Sequence, residues 1–315
     1  MAYEYRTKPF DHQRRIFEET ALTPNFGLFW EQGTGKTKAI IDTAAHLYEL
    51  GEINTLLIVA PNGVHRNWIT DEIPVHMPKR LAKSIAMMFW ESKRSATKRH
   101  QREVSRVVDH DGFRIVAMNY EAMLTKAGEK AIKKLFVKNE RAKVYHDVMI
   151  VFDESHYLKS PGARRTMRGI ALASRAKYRR ILTGTPIANS PFDAYSQLKA
   201  LDQDYWKGHG FSTFTTFKTF FGIFQKFVNG TTGQQFETVV GYRHLDQLKA
   251  MIDPITDRVT KDDVLDLPPK LYQRRFFEMT QEQQAVYKQI KEEAMAFLAS
   301  GETITAPLAL VRLLR

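Results

Sequence analysis

The sequence predicts an α/β fold in which a parallel sheet is flanked by helices, and three observations carry that expectation. Apolar runs of five to seven residues recur along the first part of the chain, each stopped by Pro, Gly, Asn or an acid and separated by stretches of helical spacing. The first run, Phe26 to Trp30, opens into Glu31-Gln32-Gly33-Thr34-Gly35-Lys36-Thr37, and Ile40, Ile41, Ala44, Leu47 and Tyr48 follow at helical spacing before Gly51. The clearest run, Asp147 to Phe152, delivers Asp153, Glu154, Ser155 and His156 at its end.

Taken in order, Lys8 to Glu19 offers Asp11 as an N-cap for a helix with Ile16 and Phe17 inward and His12 and Gln13 in its first turn. The amide of Gln13 carries both a donor and an acceptor, which suits an adenine edge. In the glycine turn, Gly33 and Gly35 let the backbone curl with its N–H groups inward, and the helix N-terminus behind them favours negative charge. Lys36 would then reach the outer phosphates of a nucleotide, and Thr37 would offer a hydroxyl to a magnesium ion. Asn54 to Ala60 reads as a second buried strand, ended by Pro61 and Asn62. Because ligands of parallel sheets gather at the carboxyl ends of strands, Pro61 and Asn62 are candidate contacts, while Trp68 in the following helix reads as core.

Residues 79–106 hold nine basic and two acidic side chains around an expected strand at Ser84 to Trp90. The tract is either a surface for a phosphate backbone or a solvated helix face. Arg114 to Met118 is the next expected strand, leading to Asn119 and Tyr120, and Lys126 to Lys143 reads as a solvated helix. After the Asp147–Phe152 strand, Asp153 can hold the water shell of magnesium and Glu154 can orient or deprotonate an attacking water. Tyr157 to Phe192 has eight Lys or Arg and no acid. Inside it, Tyr178 to Thr183 reads as a strand, followed by Gly184 and Thr185, whose hydroxyl, like that of Thr183, can bond the acidic pair, a phosphate or the turn itself. Nine aromatics between Tyr205 and Phe227, many three apart, predict a helix burying one face rather than a base-stacking platform. More helix is expected up to Asp253. Asp262 to Lys270 is a proline-stiffened linker, a strand is expected at Leu271 to Met279, and Thr280 with Gln283 forms a capping-box pattern. The final PLALVRLLR reads as a helix begun at Pro307 and cut within the element.

With 315 residues, 43% of them hydrophobic, the chain can form two cores, and a net charge of +12 favours a polyanionic partner. Zero cysteines exclude disulfide frameworks and thiolate zinc sites. No run approaches the roughly 20 apolar residues of a membrane span, and a soluble, cytoplasmic protein is expected.

Together these motifs resemble the Swi/Snf family of DNA translocases, among the superfamily-two helicase-like ATPases. WEQGTGKT resembles the family's first ATPase motif. LLIVAP followed by Asn67 and Trp68 resembles the next, AMNYEAM the segment after it, DESH the DExH box and LTGTPIAN the third motif. The run RVTKDDVLDLPPK, then Gln284 and Tyr287, resembles the passage into a second domain. The resemblance implies a RecA-like domain over residues 1–200, a helical insertion over 201–260, and over 261–315 a linker with the truncated start of a second RecA-like domain.

It further implies ATP held by Gln13, Gln32, Gly33, Thr34, Gly35, Lys36 and Thr37, Mg2+ held by Thr37 and Asp153, and catalysis by Lys36, Asp153 and Glu154. Double-stranded DNA would be met by Pro61, Asn62, Asn119, Tyr120, Lys159, Arg164 and Arg165. His156, Thr183 and Thr185 would couple the two sites. The expected protein is a monomeric, DNA-dependent ATP hydrolase, nearly inactive without the arginines of the missing domain. The competing readings are a strand-separating helicase and a non-catalytic basic nucleic-acid-binding module.

Overall fold

The computed structural model describes residues 3–139, 144–228 and 234–264, with 273–276, 278–281, 283–285 and 287–288. Helix α1 (Asp11–Thr20) precedes β1 (Asn25–Trp30), α2 (Lys36–Glu49) and β2 (Thr55–Ala60). A continuous helical stretch follows, made of α3 (Val64–Asn67), a π-helical turn (Trp68–Glu72) and α4 (Ile73–His76). Next come β3 (Ile85–Phe89), α5 (Lys98–Val108), β4 (Phe113–Asn119) and α6 (Lys126–Phe136). A small antiparallel pair, β5 (Val137–Asn139) and β6 (Val144–Tyr145), leads to β7 (Val148–Asp153), α7 (Arg164–Ala173), β8 (Tyr178–Leu182) and α8 (Asp193–Leu201). After it lie α9 (Tyr205–Gly208), α10 (Phe214–Phe221), β9 (Gly222–Val228), β10 (Gln235–Tyr242), α11 (Leu245–Ile252), β11 (Thr256–Val259) and α12 (Lys261–Val264).

Seven strands form one sheet in the order β11-β1-β8-β7-β2-β4-β3, with every described pairing parallel. The six strands expected from the apolar runs are all present. Every residue of β2, β4 and β7 is buried, because helices cover both faces of a parallel sheet and leave no solvent side to alternate towards. The register sets the strand ends level: Leu28 of β1 lies opposite Leu182 of β8, which lies opposite Asp153 of β7. The glycine turn after β1 and the acids after β7 are thus one strand apart on the same edge of the sheet.

Several expectations are corrected. The strand β11 was not foreseen, since Thr-Asp-Arg-Val has a single apolar residue to bury and, as an edge strand, needs no more. The helix expected through to Asp253 is interrupted by β10, whose Thr238, Val239 and Val240 favour the extended chain. Residues 201–260 divide between two units: α9, α10, α11 and β11 belong with the main sheet, whereas the β9–β10 hairpin belongs to a second unit. The aromatics of α9 and α10 pack as core, as expected, with Phe217 and Phe221 fully buried and Trp206 4.6 Å from the Phe217 ring. Helix α6 is solvated on one face only, because Ala131, Ile132, Leu135 and Phe136 are buried.

The described part of the strand expected at Leu271 to Met279, residues 273–276 and 278–279, carries no strand. The capping box is present, with the Thr280 N–H donating to Gln283 Oε1 at 3.0 Å and the Gln283 N–H to Thr280 Oγ1 at 3.3 Å. The linker from Leu265 and the helix from Pro307 lie outside the described residues.

Candidate nucleotide site and nucleic-acid face

At the end of β1 the backbone turns through two left-handed glycines, Gly33 at φ 89° and Gly35 at φ 83°, the latter capping α2. A Cβ on Gly35 would stand 2.0 Å from Gln13 Nε2, so the position excludes a side chain on two grounds. Gln13 is buried; its Nε2 donates to the Gly35 and Thr34 carbonyls at 3.2 and 3.4 Å, and its Oε1 accepts the Phe10 N–H at 2.9 Å. The amide of Gln13 braces the loop, together with His12, whose Nε2 lies 2.8 Å from the Thr34 carbonyl. Thr34 is fully buried and donates to the Glu31 carbonyl, Thr37 is half-buried on the first turn of α2, and Gln32 is exposed.

The Lys36 ammonium donates to the carbonyls of Trp30 at 2.8 Å and Glu31 at 3.1 Å. Burial lowers its pKa, while Glu154, Asp153 and Glu31 oppose that shift. This electrostatic coupling and the level strand ends place Lys36 and both acids in one corner. Asp153 is buried; Oδ2 accepts the Trp68 indole N–H at 2.9 Å and Oδ1 accepts the Glu154 backbone N–H at 3.0 Å. Burial raises its pKa, with the Trp68 bond opposing and Glu154 adding to the shift.

Trp68, read from sequence as core, is thus also a positioning residue. Pro74, with no N–H to give, sits one turn below it, and the helix widens so that the Ile73 N–H reaches back to the Trp68 carbonyl. Tyr120 Oη donates to the Asp153 carbonyl at 2.8 Å and holds the strand end from the other side.

Glu154 sits in a left-handed conformation at φ 51°, which turns its side chain from the strand line towards His156 and Thr183. His156 Nδ1 lies 3.2 Å from Glu154 Oε2 and 3.1 Å from Thr183 Oγ1, and Thr183 Oγ1 accepts the Thr185 N–H at 3.1 Å. The His156 hydrogen bond is the main reason that the Glu154 pKa is lowered. A second bridge, absent from the sequence reading, runs from Ser155 Oγ to Gln197 Oε1 at 2.7 Å and from Gln197 Nε2 to the Pro186 carbonyl at 2.6 Å. Polar residues at buried helix positions, here Gln197 and Ser196 in α8, were the available signal.

This corner fits a magnesium nucleotide. It presents a cradle that side chains would fill, a lysine held only by carbonyls, and a buried carboxylate whose pKa is raised. Among the described residues no cluster of three or more His, Cys, Asp or Glu side chains could hold a metal, so an ion here would take most of its shell from phosphates and water.

The expected nucleic-acid contacts fall into three groups. Asn62 and Asn119 line one groove of about 440 Å³ with Arg66, Lys93 and Arg94, and Pro61 stands at its head, accepting the His65 N–H. Lys159, Arg164 and Arg165 flank the start of α7: Arg164 is exposed, Arg165 lies 5.5 Å from the Tyr157 ring centre, and Lys159 is 3.9 Å from Asp193. Tyr120 stands apart from both, 1% exposed and with its hydroxyl bonded inside.

A parallel sheet that gathers a glycine turn, a buried lysine and paired acids on one edge, with a basic groove beside them, defines a helicase-like ATPase domain. The chain belongs to the SNF2-related domain family, whose model matches residues 23–315. It is 25% identical over 82% of its length to the SWI/SNF-related matrix-associated actin-dependent regulator of chromatin subfamily A containing DEAD/H box 1 of Xenopus tropicalis, covering 23% of that protein. It is 28% identical over 79% of its length to the DNA annealing helicase and endonuclease ZRANB3 of Bos taurus, covering 20% of that protein. The chain thus spans less than a quarter of these relatives. Its fold is similar to the Sulfolobus solfataricus SWI2/SNF2 ATPase core in complex with dsDNA, with a TM-score of 0.58 and 23% identity over 100% of this chain and 58% of that one. No helix among the described residues is long and apolar enough to cross a membrane.

Proposed function

We propose that this chain is the ATP-binding motor half of a Swi/Snf-type DNA-dependent ATPase that translocates on double-stranded DNA. The observation that carries the reading is the convergence of Lys36, Asp153 and Glu154 in one corner at the carboxyl edge of a single parallel sheet. Lys36 would leave its two carbonyls for the outer phosphates of ATP, and Thr37 and Asp153 would hold Mg2+. The ion would supply charge neutralisation across the phosphates. Glu154, whose pKa is lowered, is a weak proton acceptor at neutral pH and would act by orienting the attacking water.

The bonds among Glu154, His156 and Thr183 would carry the state of that corner to the segment after β8 and so to the basic residues at α7. Duplex DNA would lie along Asn62, Asn119, Arg66, Lys93 and Arg94 and reach Arg164 and Arg165. In support, the Sulfolobus solfataricus ATPase core of similar fold was solved in complex with dsDNA, a property of that protein.

Residues 261–315 would begin a second RecA-like lobe. By the family resemblance, the arginine that completes such a site belongs to that second lobe. A supplied arginine contributes about 10³ to 10⁵ in rate, so the 315 residues alone would hydrolyse ATP slowly, as a monomer in a DNA-associated, cytoplasmic setting. The test is ATP turnover by the complete protein with duplex and with single-stranded DNA. Duplex stimulation that Lys36→Ala abolishes supports the reading, and duplex affinity should fall with salt at a slope of roughly −0.9 per phosphate contact. Equal turnover in Lys36→Ala would leave the basic-module reading, and stimulation by single strands alone would leave the strand-separating helicase.

A further inference from the structure

We infer that Lys261 is a second lysine of the nucleotide site, reaching the outer phosphates from the segment that leads away from the sheet. The inference rests on the nucleotide-binding reading above and adds a contact from a part of the chain remote in sequence from the glycine turn. Strand β11 pairs in parallel with β1, Val259 opposite Trp30, so the residues after β11 run beside the residues after β1. The Glu31 N–H donates to the Val259 carbonyl at 2.9 Å, and the Lys261 N–H donates to Glu31 Oε2 at 3.0 Å. These two bonds lock the backbone of Lys261 alongside the loop. Its side chain then lies over the glycine turn, with Cε 3.7 Å from where a Cβ of Gly33 would stand.

What that ammonium meets is informative. Glu31, the carboxylate nearest in the chain to the turn, is engaged by the Lys261 backbone. Asp263 accepts from the Thr260 N–H and hydroxyl at 2.9 and 2.5 Å, and Asp262 is exposed. Among the described residues no ion pair or side-chain hydrogen bond holds the Lys261 ammonium. Its like charge adds to the burial that depresses the Lys36 pKa, which places the two ammonium groups in one field. Two lysines that repel one another beside a glycine cradle are stabilised together by a polyanion. The ligand class this favours is a nucleoside triphosphate, with more charge at its outer end than a diphosphate. Because Lys261 follows β11 and precedes the Pro268-Pro269 stretch, occupancy of the phosphate site would be felt where the chain leaves this domain.

The experiment is a titration of the chain with Mg2+ and either ADP or a non-hydrolysable β,γ-imido ATP analogue, on wild type, Lys36→Ala, Lys261→Gln and Lys261→Arg. Only the backbone of Lys261 bonds to Glu31, so Lys261→Gln keeps that link and the fold. The expected result is a loss of about 5- to 10-fold in triphosphate affinity for Lys261→Gln, or about 1–1.4 kcal/mol, a smaller loss for ADP, and recovery in Lys261→Arg. Lys36→Ala weakens both nucleotides. If Lys36→Ala does so while Lys261→Gln binds the triphosphate as wild type does, the inference is overturned and the nucleotide reading stands. If Lys36→Ala binds as wild type, the nucleotide reading itself fails.

Discussion

The nucleotide corner and the basic groove lie on the same edge of one sheet and are built on opposite principles. In the corner, Thr34, Lys36, Asp153, Ser155 and Thr183 are all buried and each has a named hydrogen-bond partner. Their positions are fixed by neighbours and by two glycines, so the site is organised by the fold itself. In the groove, Asn62, Lys93 and Arg94 are exposed, and the ion pair between Arg94 and Glu91, at 3.5 Å, joins neighbouring surface residues. Such pairs are worth about 0–1 kcal/mol and hold nothing in place. The corner works by geometry and the groove by its field, so damage to the first should be local and severe, and damage to the second graded and dependent on salt.

A pair of glycines gives the largest test of that contrast. Gly35 in the corner and Gly63 beside the groove both have positive φ, 83° and 87°, but ψ is 33° at Gly35, the left-handed helical region, and −49° at Gly63, outside it. A Cβ at Gly35 meets Gln13 Nε2 at 2.0 Å, whereas at Gly63 nothing lies within 4 Å. Gly63→Ala should cost only the strain of its own positive-φ conformation, about 1–3 kcal/mol, with no clash. Gly35→Ala should cost the left-handed conformation, about 1–2 kcal/mol, and also displace the two bonds Gln13 makes to the loop, for a total of about 3 kcal/mol. Urea midpoints of the two variants measure these losses. A Gly35→Ala loss no larger than the left-handed cost alone would show that the brace from α1 does not hold the turn.

Trp68→Phe is the next largest. The ring stays in the core, but the N–H to Asp153 goes, leaving a buried carboxylate short of a donor at a cost of about 1.5–3 kcal/mol. Stability should fall by that amount in denaturant titrations in addition to the cost of the cavity left by the smaller ring, and a double-mutant cycle with Asp153→Asn that shows no coupling would leave a packing role alone.

How much of this was legible in the sequence follows from the same contrast. The five central strands could be read because a strand covered on both faces must be apolar at nearly every position, as β2 and β7 are, and β3, at one edge of the sheet, could be read from its apolar run Ile85–Phe89. The glycine turn and the acids could be read because each residue type answers a local backbone or charge requirement. Strand β11 could not, since an edge strand of Thr-Asp-Arg-Val is specified by its partner β1 and by Asp257, which accepts the Trp30 indole N–H at 2.6 Å and an Arg15 N–H at 2.8 Å. The polar contacts of Trp68, Tyr120 and Gln197 were missed for a related reason. Trp68 was read as core, and it is, but only the tertiary fold shows that its indole N–H, the Tyr120 hydroxyl and the Gln197 amide meet the acids or their neighbouring turn.

The smallest expected effect concerns Glu154, a member of the corner that is partly open to solvent, with 30% of its side chain exposed. Its hydrogen bond from His156 lowers its pKa, burial opposes this, and the charges of His156 and Lys36 and the Thr183 hydroxyl lower it further. A carboxylate whose pKa is lower folded than unfolded adds stability above its unfolded value, about 4.3, and loses it as the pH falls through the folded value. His156→Ala removes the largest of these influences, so the Glu154 titration should move upwards and its share of stability should be lost at a higher pH. Side-chain carboxyl shifts followed by NMR between about pH 2 and 7 would report this on a site-specific basis. Exposure and salt keep the effect small, but its direction is fixed. A Glu154 titration that stays in place without His156 would show that Thr183 and Lys36 alone hold the carboxylate, and the imidazole would then be a bystander to the corner rather than its link to the segment after β8.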